Sequence, residues 1–94
     1  MMVGLCLLDL YLPDCHSIKD KRMVMRSVKD RARARFNMSV CELDHQDLHQ
    51  RALLGFAMLA DGRIPIERDF HSLIRDVEQR HPEVQVQSRI EFLG

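Results

Sequence analysis

This 94-residue sequence has no glycine-rich phosphate loop, no dinucleotide fingerprint and no paired-carboxylate motif. Nucleotide binding and carboxylate acid–base chemistry usually leave such patterns, so neither is signalled here. It lacks net charge, with 14 Lys+Arg against 14 Asp+Glu, and whole-chain attraction to nucleic acid is therefore not expected. It lacks long apolar runs. The longest, Met1–Leu8 and Ala52–Ala60, fall far short of the ~20 residues that a spanning helix needs, so no membrane association is expected. Cysteine is too sparse for a disulfide framework: three residues, an odd number at irregular spacing, suggest free thiols and a cytoplasmic protein. Aromatics make up only 5% of the chain. Gly55-Phe56-Ala57-Met58 is similar to the aromatic strand of RNA-recognition domains, but a second aromatic is missing and strand one offers only Tyr11, so core packing is the expectation there.

What remains is an ordinary globular composition, 46% hydrophobic and 30% charged, with no linker or low-complexity tract. A single domain over residues 1–94 is expected. From Met2 to Leu12 both alternating sets are apolar, the pattern of a central strand covered on two faces, and Pro13-Asp14 stops it. Ser17 followed by Asp20 resembles a capping box. A first helix is predicted over about 18–35, with Ile18, Val24, Met25, Val28, Ala32 and Phe36 on its core face. Asn37–Leu43 is rich in strand formers, and a second strand with apolar residues on both faces follows from Gln50 to Ala60. Pro65 suits a first helical position, and Ile66, Phe70, Leu73, Ile74 and Val77 recur at helical spacing until Pro82. Val84, Val86, Ile90 and Phe92 alternate with polar residues, as an edge strand would.

The order β-α-β-β-α-β points to an α+β ferredoxin-like sandwich: four antiparallel strands in order 4-1-3-2 with both helices on one face. The central strands would then expose an apolar strip on the other face with nothing left in the chain to cover it. A homodimer or a sheet-mediated complex follows as an expectation.

Neutrality hides an asymmetry. Between Lys19 and Arg35 stand eight basic residues and two acids, a local surplus of six that the rest of the chain must cancel. At ~100° per residue, Lys19, Arg22, Arg26, Lys29 and Arg33 share one flank of the core face. Eleven of the fourteen basic residues are arginine, whose planar fork matches phosphate oxygens. Cations in an opening turn oppose the helix dipole at ~0.3–1 kcal/mol each, so stability alone would not place Lys19, Lys21 and Arg22 there. With His16, the Ser17 hydroxyl and the free amides of that turn they outline an anion site suited to phosphate. A solvated face, offset by Asp14 and Asp20, fits the same pattern. Cys15, His16, Cys41, His45 and His49 are the other candidates for chemistry. No second pair completes a tetrahedral metal set, and adjacent Cys15 and His16 point apart, so neither metal, cofactor nor covalent catalysis is expected.

Two segments in fixed order, His16-Ser17-Ile18-Lys19-Asp20-Lys21-Arg22 and Arg35-Phe36-Asn37-Met38-Ser39-Val40-Cys41-Glu42-Leu43, followed by Asp47-Leu48-His49-Gln50-Arg51-Ala52, resemble the YlxP-like family of small bacterial proteins. That family is of unknown function. The resemblance implies a ferredoxin-like domain, often encoded beside ribosome-maturation and translation-initiation genes, and hence an association with RNA or the ribosome. The family's HSLK-KR element falls on His16, Ser17, Lys19, Lys21 and Arg22. Its WQRA element has His49 where tryptophan is usual, leaving Gln50 and Arg51 as the matching positions. The sequence thus suggests a non-catalytic factor gripping RNA phosphates through Lys19, Lys21, Arg22, Arg26, Lys29 and Arg33, with Arg51 as an addition, or else a homodimeric interaction module.

Overall fold

In a computed structural model describing residues 1–94, the chain runs β1 (Met2–Tyr11), α1 (Ile18–Arg35), β2 (Ser39–Asp44), β3 (Arg51–Ala60), α2 (Arg63–Arg80) and β4 (Gln85–Leu93). The strands form one antiparallel sheet in the order β2-β3-β1-β4, which is the expected 4-1-3-2 read from the other edge. The fold is ferredoxin-like α+β.

The two-sided apolar strands lie at the centre because only there do both faces find cover or neighbours. Cys6, Leu8 and Leu10 of β1 and Ala52, Leu54 and Phe56 of β3 point toward the helices and are fully buried. Met25, Val28 and Ala32 from α1 and Ile66, Phe70, Leu73 and Val77 from α2 close the core over them. Each fully buried large side chain contributes ~1.5–3 kcal/mol relative to exposure. Gly4 sets how near α2 comes to the sheet. A Cβ there would collide with Ile66 Cγ2 and sit 3.0 Å from Phe70 Cε2.

Among the boundaries that differ from the sequence expectation, three have a clear physical reason. Asn37 does not begin β2: its φ of 53° turns the chain out of α1, and the Met38 amide donates to Ala32 O at 3.0 Å to close the helix end. α2 starts at Arg63 instead of Pro65, with Gly62 as its extended N-cap. Pro65 lies in the first turn, where a missing N–H breaks no helical hydrogen bond. β1 ends at Tyr11, although the buried Leu12 still donates its amide to Gln50 O at 2.8 Å.

On the side away from the helices the sheet is bare. Val3, Leu5 and Leu7 of β1 stand beside Leu53, Ala57 and Leu59 of β3 in the ladder.

Candidate nucleic-acid interface

α1 begins with a closed cap. Ser17 is extended and its hydroxyl accepts from the Asp20 amide at 3.0 Å, while Asp20 Oδ2 accepts from the His16 amide at 3.0 Å. The helix start therefore already holds a carboxylate, the favourable charge for that end of the dipole. His16 and Ser17, expected to help bind phosphate, serve the cap through a backbone amide and a side-chain oxygen. Lys19 stands exposed beside them.

Lys21 needs a correction. It is 3% exposed and lies inside the molecule, on the buried stripe with Met25, Val28 and Ala32. Its ammonium donates to His45 O at 2.6 Å and Leu48 O at 2.8 Å, and lies 2.9 Å from Glu42 Oε2. Three acceptors thus surround the three hydrogens of Nζ. The buried Glu42 oxygen has this ammonium as its charge partner without a directed hydrogen bond. Lys21 ties the β2–β3 connection to α1, and its burial with Glu42 beside the ammonium leaves it no access to a phosphate. The helical wheel holds the signal: at ~100° per residue, position 21 falls between 25 and 28.

The flank beside it is different. Arg22, Arg26, Lys29 and Arg33 line a groove of ≈ 490 Å³ between α1 and the segment Glu42–Gln46, and Asp30 and Glu42 are its only carboxylates. No carboxylate lies within 4.0 Å of Lys19, Arg22, Arg26 or Arg33, whereas Lys29 Nζ sits 3.9 Å from Glu42 Oε1. The opposite flank is satisfied internally. Arg31 makes a bidentate pair with Asp76 of α2, both bonds at 2.7 Å, and Arg35 lies over the Phe36 ring at 5.7 Å. The Arg31 hydrogen bonds hold the Asp76 carboxyl below the ordinary carboxylate range and raise the Arg31 guanidinium.

Arg51 also needs correction, as a member of that group. It opens β3 on the bare side of the sheet, donating to Asp9 Oδ1 at 3.1 Å and Oδ2 at 3.3 Å, with the sheet between it and α1. Its neighbour Gln50 donates from Nε2 to Pro13 O at 3.3 Å, three residues ahead of the first motif.

The cysteines diverge. Burial pushes the Cys6 thiol up to about 12, and burial followed by Asp20, Glu83 and Asp14 raises Cys15, so both remain protonated thiols at neutral pH. Cys41 is exposed at the bare sheet face. No three His, Cys, Asp or Glu side chains converge as metal ligands would. Neither helix is long and apolar enough to cross a membrane.

A family model described as a protein of unknown function (DUF503) matches residues 3–90. The uncharacterized protein YlxP of Bacillus subtilis (strain 168) is 27% identical over 84 residues, covering 89% of this chain and 90% of that protein. Among solved structures, the de novo designed protein Foldit4 is similar at TM-score 0.64 and 12% identity, covering 97% of both chains. A dimeric ferredoxin-like protein from an uncultured marine organism is similar at TM-score 0.62 and 8% identity, covering 99% of this chain and 96% of the other. At such identities these likenesses speak to fold alone.

Proposed function

The chain belongs to the DUF503 family of unknown function, in keeping with its YlxP-like motifs, and we propose that it is a non-catalytic factor docking on structured RNA, the ribosome or a precursor subunit, through the outer flank of α1. One observation carries the reading: an electrically neutral molecule leaves Lys19, Arg22, Arg26 and Arg33 together on one flank with no internal carboxylate partner. Lys29 lines the same groove and completes the stripe. Cations left unpaired on one side repel each other mildly and stabilise nothing in the fold. Against a polyanion each releases condensed counterions. Arginine forks add bidentate grip on phosphate oxygens without reading bases, which suits recognition of RNA shape.

The test is co-sedimentation with RNA or ribosomes at graded salt. Four phosphate contacts give a log–log slope near −3, a loss of roughly hundredfold between 50 and 200 mM salt. Lys19→Glu, Arg22→Glu, Arg26→Glu and Arg33→Glu together should lower affinity by at least that factor. Undiminished binding would remove the proposal.

The bare apolar sheet face favours a second reading, compatible with the first: the chain is a homodimer. A ferredoxin-like protein of the same topology is described as dimeric. The free thiols fit a cytoplasmic setting.

A further inference from the structure

We propose that the homodimer forms by packing the bare sheet face of one copy on the same face of a second, giving helix, sheet, sheet and helix layers with the two cationic grooves on opposite outer sides. This rests on the homodimer reading and adds to it the surface and the arrangement. Chemistry is the first reason. Val3, Leu5, Leu7, Leu43, Leu59 and Leu93 lie on that face, and Leu43, Leu59 and Leu93 are 49%, 66% and 55% exposed. A shallow hollow of ≈ 310 Å³ opens beside Gly55, where Leu43 leans over the missing side chain. Such a depression in an apolar surface accepts a side chain from the facing layer.

Charge is the second reason, and it separates a copy from other occupants. A two-fold axis sets a patch against itself, so a surface of one sign repels its copy. The charges on this face cancel in pairs: Arg51 to Asp9 at 3.1 Å and Arg89 to Glu91 at 2.8 Å. The flank of α1 fails the same condition. Because the face carries no surplus cation, a polyanion gains nothing from it.

Area is the third. The four strands, of ten, six, ten and nine residues, at ~3.4 Å rise and ~4.8 Å spacing, present roughly 570 Å². Two such faces bury about 1,140 Å², above the ~1,000 Å² that a specific interface should clear and just under the standard class that begins at ~1,200 Å². Joining the free edges of β4 or β2 instead would leave the apolar face in water.

Size-exclusion chromatography with light scattering, combined with thiol labelling, decides it. The wild type should run at twice its 11.0 kDa chain mass, with Cys41 labelled slowly. Cys6 and Cys15 are buried in each copy, so the labelling signal reports Cys41. Leu53→Glu with Leu59→Glu should run as a monomer with rapid Cys41 labelling and unchanged circular dichroism. Leu59→Arg alone, at a position 66% exposed, gives the same readout should the double variant misfold. A wild type that stays monomeric at every concentration overturns the homodimer reading and this arrangement with it. A dimer that persists in both variants, with Cys41 freely labelled, leaves the homodimer standing and overturns the face.

Discussion

The outer flank of α1 and the bare side of the sheet are both surfaces that the chain does not cover for itself, yet they differ in what they repel. The flank is crowded with arginine and lysine of one sign, so its field repels another cationic surface and favours anions. The sheet face is apolar with its charges cancelled in pairs, so it rejects nothing by charge and gains by burial. Proximity in sequence says little about which surface a residue serves. Lys21 and Arg22 are neighbours, but one is an internal tether and the other is open to solvent.

If the two surfaces are independent, reversing the four flank charges should abolish salt-sensitive RNA binding and leave the mass in solution unchanged. The face variants should do the opposite. Coupled losses would break the comparison. Next in size is Lys21→Met, which leaves two carbonyls and the Glu42 carboxylate without their cation. It should destabilise the fold by about 3 kcal/mol in denaturant unfolding. The folded fraction should still bind RNA within about twofold, since Lys21 is not part of the flank; a hundredfold loss would return it there. A smaller effect is expected from Asp76→Asn. The native Asp76 carboxyl is held low by Arg31, so it binds fewer protons than in the unfolded chain. Its contribution is full above the unfolded value of ~3.9 and fades as pH falls toward the depressed native value. The variant should therefore lose stability at neutral pH and show a shallower decline below about pH 4, measurable by acid titration of circular dichroism. The smallest effect is on Arg51→Ala, which should leave RNA affinity within about twofold because the sheet lies between Arg51 and the groove. A tenfold loss would mean that RNA reaches both sides.

Much of the architecture was legible along the chain. The strands apolar on both faces became β1 and β3 at the centre, and the strand with one wet face became the β4 edge. The candidate site was legible in outline only. Five cations within one flank of the wheel mark the stripe, whereas Lys21 and the Ser17 cap join the phosphate group through their place in the opening turn, and Arg51 through the family resemblance. Lys21 is the instructive case, since its place on the wheel beside Met25 and Val28 already argued for burial. A lysine can take such a position only if acceptors await it, and these come from residues 24 and 27 positions later.

Periodicity and the density of charge on one helix are local properties, and so the sequence by itself determined the elements, their order, the core stripes and the surplus of cations on α1. Which cations are open was decided by tertiary structure. Arg31 finds Asp76 across 45 residues, Arg51 finds Asp9 across 42, and Lys21 finds the carbonyls of the β2–β3 connection, because a partner's distance in space is set by how the strands pair and the helices dock. An ammonium or guanidinium is free or engaged according to what comes within hydrogen-bond reach, and a linear order of residues does not contain that distance.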